Sequence, residues 1–390
     1  MDNLYDYIEW MGGFSFSEYA FNELDALVLS LLSYYDLSPN AATELKPSDF
    51  FLRDCAVYAK AGKLPIRITG TDMGYQAVLE AATASRRFGV LNVTNTVDMF
   101  DPSVPLQFAA MTFRCPEFNF IALRGTDSSL AGWKEDFMIS FTKTAAQELA
   151  AVYCEQHLED GKPNYIGGHS KGGNLALYAA CMLSDSALED LTRVYLLDGP
   201  GLCPEVLDPA LIERIDSKAT RIIPEFDIVG KLFEPKISDT RIVKSSASGV
   251  MQHSIGTWGV DHGKLFLAEA NDPRSLEINA ILDRWISSMN QSQRILLTNE
   301  LFEVLGANGA ITLEDLEKEG AQGLQSILTG FHDISDVTKR SLADLRTRAV
   351  LGEHYDKWLE LKEKQEDVKQ AAAKMLKEGL QKARNQHPGS

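Results

Sequence analysis

Positive charge is scarce in this sequence of 390 residues. Lys and Arg together number 38 against 55 Asp and Glu, so the formal net charge at pH 7 is −17. Binding to nucleic acid depends on clustered cations that neutralise phosphate. The charge balance therefore predicts that neither DNA nor RNA is a partner.

Cysteine is also rare, and the five thiols form no familiar pattern. No CxxC spacing occurs, and no His pair stands in zinc-ligand register. An odd number of such thiols is typical of a reducing compartment. We therefore expect free thiols and neither a metal nor another cofactor. The five are Cys55, Cys115, Cys154, Cys181 and Cys203.

Long apolar runs and a signal peptide are missing as well. A spanning helix needs about 18 consecutive apolar residues, whereas even residues 24–35 contain Asp25, Ser30 and Ser33. The first ten residues are acidic, where a signal peptide would have a basic stretch. We therefore expect a cytoplasmic protein without a transmembrane segment.

What the sequence does contain is a regular succession of helix and strand patterns. Apolar residues at helical spacing predict helices at 22–37, 48–61 and 74–86. Short β-branched and aromatic runs predict strands at 90–97, 106–114 and 118–124. Helices at 144–157, 174–183 and 209–215 then alternate with strands at 165–167, 193–197 and 220–224. This alternation predicts an α/β fold with a mostly parallel sheet flanked by helices.

Past residue 271 the strand signals end. Helical patterns occupy 275–305, 313–328, 334–351 and 353–384. The last of them mixes both charge signs over a thin apolar stripe, as a solvated surface helix does; the alternative is a helix that binds a protein partner. We therefore predict a domain over residues 1–285, with a helical N-terminal segment, and a C-terminal helical extension over 286–390 with a mobile end.

A GxSxG pentapeptide, Gly168–Gly172, carries the clearest chemical signal. It follows the strand at 165–167 and opens the helix at 174–183. Such a turn strains the backbone of the serine, raises its hydroxyl above the sheet, and leaves helix N–H groups to stabilise an oxyanion. We predict Ser170 as a nucleophile, with His169 pointing away from the pocket.

A nucleophilic serine needs an acid and a base, which follow in the order Ser, Asp, His in this kind of site. Asp227 follows the strand at 220–224, where parallel sheets place functional loops, and His253 lies in a later loop. We predict them as acid and base. Asp198, also at a strand end, is the alternative acid, although the Gly-Pro-Gly after it favours a loop-ordering role. His262 is the alternative base.

A second oxyanion donor is expected where an upstream strand stops. The apolar run in residues 120–127 ends abruptly at Gly-Thr-Asp, so we predict the backbone N–H groups of Thr126 and Lys171 as the oxyanion hole. The Lys171 side chain either lies over the pocket mouth, where it would favour an anionic substrate, or pairs with Asp127 or Glu135. We expect the pairing.

Several of these segments resemble known families. Residues 120–127 with Trp133 and Asp136, the elbow at 168–173 and the DxV at 227–229 resemble the class 3 (fungal-type) lipases. There the residue after Arg-Gly lines the oxyanion hole and the acid lies in a DxV segment. Lys171 stands where these lipases usually carry an apolar residue.

A closer resemblance is to the bacterial Mbeg-like proteins, a lipase-related family of unknown function. It is carried by residues 5–10, 22–25, 168–173, 198–201 and 252–258, and it covers roughly residues 1–285. The resemblance implies an α/β-hydrolase fold and a lipase-like Ser-Asp-His triad.

Two functions of different classes follow. The first is a serine hydrolase that acts on a small-molecule ester or lipid-like substrate; thioesterase and acyltransferase chemistry would use the same triad. The alternative is a non-catalytic, hydrolase-like scaffold that binds a protein partner through the C-terminal helix.

Overall fold

The structure is a computed structural model, and it describes residues 1–37, 49–67, 74–101, 106–126, 134–135, 138–305 and 334–351. Several predicted features lie outside these ranges: Asp127, Trp133, Asp136 and the helices at 313–328 and 353–384. The second of these helices is the one predicted as a possible partner-binding helix. The chain forms two compact units, Met1–Thr338 and Lys339–Ser390. This division does not coincide with the boundary expected after residue 285.

An eight-stranded sheet organises the first unit, and the order of its strands is their order in the chain. Pairing is antiparallel from β1 to β4 and parallel from β4 to β8. The predicted α/β architecture with a mostly parallel sheet is confirmed. The strands are β1 Phe50–Phe51, β2 Asn92–Asp101, β3 Leu106–Arg114, β4 Asn119–Leu123, β5 Asn164–His169, β6 Leu191–Leu197, β7 Ala219–Pro224 and β8 Thr240–Val243; a separate hairpin joins β9 Val260–Asp261 and β10 Lys264–Leu265.

Helices cover the sheet and continue beyond its last strand. In the described residues they are α1 Leu4–Met11, α2 Glu23–Leu32, α3 Ala56–Lys60, α4 Tyr75–Ala84, α5 Arg86–Gly89, α6 Ala145–His157, α7 Lys171–Met182, α8 Asp185–Asp190, α9 Pro209–Ile215, α10 Pro273–Ser287, α11 Gln291–Leu305 and α12 Asp336–Leu351. The predicted helix at 275–305 is therefore two helices, and α10 to α12 form the expected C-terminal helical region.

Strand β4 shows how the two faces of the sheet are filled. All five of its residues are buried, as expected for a strand with helices on both sides. Phe120 and Ala122 belong to the core that includes α2, whereas Ile121 and Leu123 belong to the core that includes α6 and α7. Alternation along one strand thus divides the core into two layers around the sheet.

A buried ion pair fixes the N-terminal helices to this framework. Asn22 caps α2, and Asp25, three residues later, accepts hydrogen bonds from Arg87 Nε at 2.8 Å and from the Tyr7 hydroxyl at 2.9 Å. Asp25 and Arg87 are both fully buried. Removing one partner of such a pair leaves an unpaired charge in the core. Residues 22–25 therefore hold the segment that ends at Tyr34 in position.

Candidate active site

Ser170 occupies a strained turn between β5 and α7. Its φ of 60° and ψ of −127° lie in a region that L residues rarely adopt, at a cost of about 1–3 kcal/mol. The flanking glycines make the turn possible, because a Cβ on Gly172 would lie 2.1 Å from the Leu123 carbonyl oxygen and one on Gly168 would lie 2.4 Å from the Gly172 carbonyl carbon. The strand-turn-helix geometry expected of the pentapeptide is therefore present.

His253, the predicted base, is held by Asp198 and not by Asp227. Its Nδ1 lies 2.7 Å from Asp198 Oδ2, so Nδ1–H donates to the carboxylate and Nε2 is left as an acceptor. Asp198 follows β6, the strand that pairs with β5, and the Ser170 N–H donates to Leu197 O at 2.9 Å. Asp198 is thus one strand nearer to the elbow than Asp227, and the prediction of Asp227 as the partner of His253 is wrong.

Asp227 lies in the same cluster but is fully buried. The Gly230 N–H donates to Asp227 Oδ1 at 2.8 Å and lies 3.1 Å from Asp198 Oδ1. Burial and the negative charge of Asp198 raise the pKa of Asp227 well above its ordinary range. Burial also acts on Asp198, but the charge and hydrogen bond of His253, the hydrogen bond with Asp227 and the charge of His169 together leave the pKa of Asp198 below its ordinary value. Asp198 therefore ionises more readily than Asp227.

His169 supports the backbone of the candidate base. As expected it points away from the pocket: Nε2 donates to the His253 carbonyl oxygen at 2.7 Å, and Nδ1 accepts from the Tyr34 hydroxyl at 2.9 Å. Burial, followed by the neighbouring His253, lowers the pKa of His169 to about 3. The neutral side chain of His169 thus connects the N-terminal segment to the loop that carries His253.

Two further residues secure that loop. Gln252 Oε1 accepts from Phe226 N, and Trp258 Nε1 donates to Gln252 O, each at 2.8 Å. Trp258 is fully buried. His262, the alternative base, lies in the turn between β9 and β10 with its side chain 95% exposed and paired with Asp261, so it is far too open to serve the same pocket.

The Lys171 side chain is buried under the elbow. Its Nζ lies 2.7 Å from Glu135 Oε2 and also donates to the carbonyl and side-chain oxygens of Gln107 at 2.6 and 3.0 Å. Lys171 and Glu135 are each 1% exposed. The expected pairing with Glu135 is confirmed, and the alternative, an ammonium over the pocket mouth, is wrong.

The loop after β4 runs directly beside the elbow. A Cβ on Gly172 would lie 3.1 Å from the Arg124 carbonyl carbon, and one on Gly125 would lie 2.0 Å from the Tyr34 hydroxyl. Arg124 is held by two hydrogen bonds to Asp98, at 2.9 and 3.2 Å. Thr126 follows within two residues, and its N–H with that of Lys171 stays the predicted oxyanion hole.

Ser170 and His253 open into one apolar cavity of about 340 Å³. One wall comes from the loop after Asp227, which includes Ile228, Leu232 and Phe233. A further part of the lining comes from α10, α11 and the turn between them, with Leu282, Trp285, Ile286, Met289, Arg294, Leu297 and Thr298. Residues past 285, which the sequence analysis assigned to an extension, therefore line the same pocket as Ser170.

Three of the five described non-glycine residues with positive φ lie in or beside the candidate site. Ser170, Asp198 and Phe233 have φ values of 60°, 45° and 50°, in the left-handed region that non-glycine residues seldom occupy. Such conformations persist where the surrounding structure enforces them, and they cluster at functional sites. The sequence marks only the first of these three.

All five cysteines are free and buried, as the sequence predicts. In the part of the chain that the structure describes, no group of three or more His, Cys, Asp or Glu side chains could hold a metal ion. No helix within the described residues is long and apolar enough to cross a membrane.

The sheet, the elbow and the cavity define an α/β protein with a strained serine turn beside an apolar cavity. A family model described as Mbeg1-like matches residues 82–303, more than half of the chain, and the chain belongs to this Mbeg1-like family. Among solved structures, a crystal structure of M37 lipase is 16% identical, with a TM-score of 0.34, covering 54% of this chain and 70% of that chain. No curated protein sequence gives a match.

Proposed function

We propose that this protein is a cytoplasmic serine hydrolase that cleaves a carboxylic ester, with Ser170 as nucleophile, His253 as general base and Asp198 as the acid that orients the imidazole. The observation that carries the proposal is the 2.7 Å contact between His253 Nδ1 and Asp198 Oδ2, made beside a strained GxSxG serine in one shared cavity. A binding scaffold has no need for this combination.

The proposed reaction has two stages, acylation of Ser170 and hydrolysis of the acyl group. His253 Nε2 takes the proton of Ser170 as the hydroxyl attacks the ester carbonyl, and Asp198 stabilises the imidazolium that forms. The Lys171 and Thr126 N–H groups then stabilise the oxyanion, helped by the N-terminus of α7. Collapse releases the alcohol, which takes the proton from His253, and water removes the acyl group by the same steps.

The apolar cavity supports a lipid-like or other apolar ester as substrate. An apolar pocket of several hundred Å³ is the usual size for a small organic ligand. The walls on α10 and α11 shield the reaction from water, which strengthens the electrostatic interactions inside.

Labelling with a fluorophosphonate tests the proposal, because such a probe reacts only with an activated serine. We expect one label on the full-length protein, located at Ser170 by mass spectrometry, and none on Ser170→Ala. Ser140→Ala is the matched control, since Ser140 lines the same cavity but does not lie on an elbow. An unlabelled wild-type protein that folds normally would instead support the scaffold function.

A further inference from the structure

Arg294 is a buried cation in the wall of the candidate active site. It lies on α11, is 8% exposed, and lines the cavity together with Ser170 and His253. Because Lys171 is engaged with Glu135 and Gln107, Lys171 does not provide positive charge to the cavity, and Arg294 does.

The contacts of Arg294 use only part of its guanidinium group. Nε donates to the Ile286 carbonyl oxygen at 2.9 Å, and the guanidinium carbon lies 5.6 Å from the centre of the Phe233 ring. Among the described residues, neither terminal nitrogen donates a hydrogen bond or joins an ion pair. The exposed Glu205 interacts only weakly with Arg294. The Cys203 thiol and the backbone of Glu205 lower the pKa of Glu205 more than Arg294 does.

Other buried arginines of the first unit are satisfied by carboxylates. Arg87 pairs with Asp25 at 2.6 Å, Arg124 with Asp98 at 2.9 Å, and Arg221 with Glu234 at 2.7 Å. Burying a charge without a partner is costly. The bond from Nε to the last turn of α10 explains one donor of Arg294, in a place where a cation is favoured, but it leaves the terminal pair unexplained.

We propose that the two terminal nitrogens of Arg294 bind an oxyanion, a carboxylate or a phosphate, carried by the substrate. The planar fork of a guanidinium matches two oxygens of either group. The cavity that Arg294 shares with Ser170 is otherwise lined mostly by apolar side chains. The substrate class is therefore an ester with an apolar body and an anionic group. This inference rests on the proposed hydrolase function.

Arg294→Gln tests the proposal with paired nitrophenyl esters. One series consists of neutral straight-chain esters, and two others carry a terminal carboxylate or phosphate on chains of the same lengths. We expect Arg294→Gln to lower kcat/KM for the preferred anionic ester by about 10- to 100-fold, the usual effect of losing a charge-assisted hydrogen bond, and to change kcat/KM for the neutral ester by less than about threefold. The preferred anionic series identifies carboxylate or phosphate.

Two further variants isolate the role of the guanidinium. Arg294→Lys keeps the charge but not the fork, so it should retain part of the preference. Arg284→Gln, which removes an exposed arginine from α10, should leave all three series unchanged. Equal losses of kcat/KM for neutral and anionic esters in Arg294→Gln, or a wild-type protein that prefers the neutral series at every length, would overturn the proposal.

Failure of the hydrolase function can be separated from failure of this inference. A neutral fluorophosphonate should label Ser170 equally fast in the wild type and in Arg294→Gln, which reports on the triad alone. Calorimetric binding of a linear dicarboxylate and of an alkyl phosphate to Ser170→Ala reports on the anion site without turnover. Binding lost on adding Arg294→Gln supports the site, and binding that survives, or is absent for both ligands, overturns it.

Discussion

Asp198 and Asp227 share one hydrogen-bond donor, the backbone N–H of Gly230, at 3.1 and 2.8 Å. The two carboxyl groups stand at the ends of neighbouring strands, β6 and β7, which pair in parallel. Two carboxylates this close cannot both ionise easily. Their pKa values accordingly shift in opposite directions: that of Asp227 is raised and that of Asp198 is lowered. Asp198 therefore ionises more readily than Asp227, which lies 3.7 Å from Arg221 Nη2, and it is the Asp198 carboxylate that faces His253.

The two acids should therefore respond differently to amide substitution. Asp198→Asn should lower kcat by a factor on the order of 10³ to 10⁴, because the wrong imidazole tautomer is then favoured. Asp227→Asn should lower kcat less than about tenfold, since the carboxylate that contacts His253 is Asp198. Steady-state rates on a nitrophenyl ester measure both effects, and thermal melting checks that each variant is folded. The reverse ranking would reinstate Asp227 as the orienting acid.

Removing the buried Lys171 ammonium should lower the stability of the fold while leaving the reactivity of Ser170 largely unchanged. Lys171→Met leaves Glu135 as an uncompensated charge, so the free energy of unfolding should fall by about 3–5 kcal/mol. Labelling of Ser170 should persist in the folded fraction because the residue 171 N–H remains. Urea denaturation measures the stability change.

A double variant provides the control for that prediction. Lys171→Met combined with Glu135→Met removes both charges, and an apolar pair can replace a buried ion pair at little cost. The double variant should be more stable than Lys171→Met alone. If the two single losses simply add, the 2.7 Å contact between Nζ and Oε2 does not govern the stability of this region.

The neutral imidazole of His169 should make the fold sensitive to acid. Its pKa is about 3 in the folded chain and about 6.5 when unfolded. Between these values the unfolded state binds one more proton, so the contribution of His169 is fully present above about pH 6.5 and is lost as the pH falls toward 3, by at most about 1.4 kcal/mol per pH unit. His169→Gln should flatten this part of the curve of unfolding free energy against pH. His262→Gln should not, because His262 is exposed.

The sequence predicts elements well where local patterns are strong. Helix α9, Pro209–Ile215, begins at a proline after the Asp208 cap and is predicted with its observed bounds. Strand β8, Thr240–Val243, is missed because its four residues include a threonine and an arginine and leave too short an apolar run. The break between α10 and α11 is missed because Ser288–Asn290 contains neither Gly nor Pro.

The residues of the candidate site are likewise predictable only where the local sequence pattern is strong. Ser170 is marked by its own neighbours in the sequence, whereas the choice between Asp198 and Asp227 depends on which strand lies beside β5, and both strand ends look alike in sequence. Arg294 has no local signal, since an arginine on a helix is ordinarily a surface residue. Only the packing of α11 onto the cavity distinguishes it.

The agreement between strand order and chain order has a consequence for biosynthesis. Each strand pairs with the one made just before it, so the sheet can grow at one edge as the polypeptide leaves the ribosome, without waiting for a distant segment. Ser170 and Asp198 are therefore translated before His253, and the cavity-lining residues of α10 and α11 follow later still. A nascent chain thus holds its serine without a base and without a closed pocket, and it gains both only after about three quarters of the polypeptide has been made.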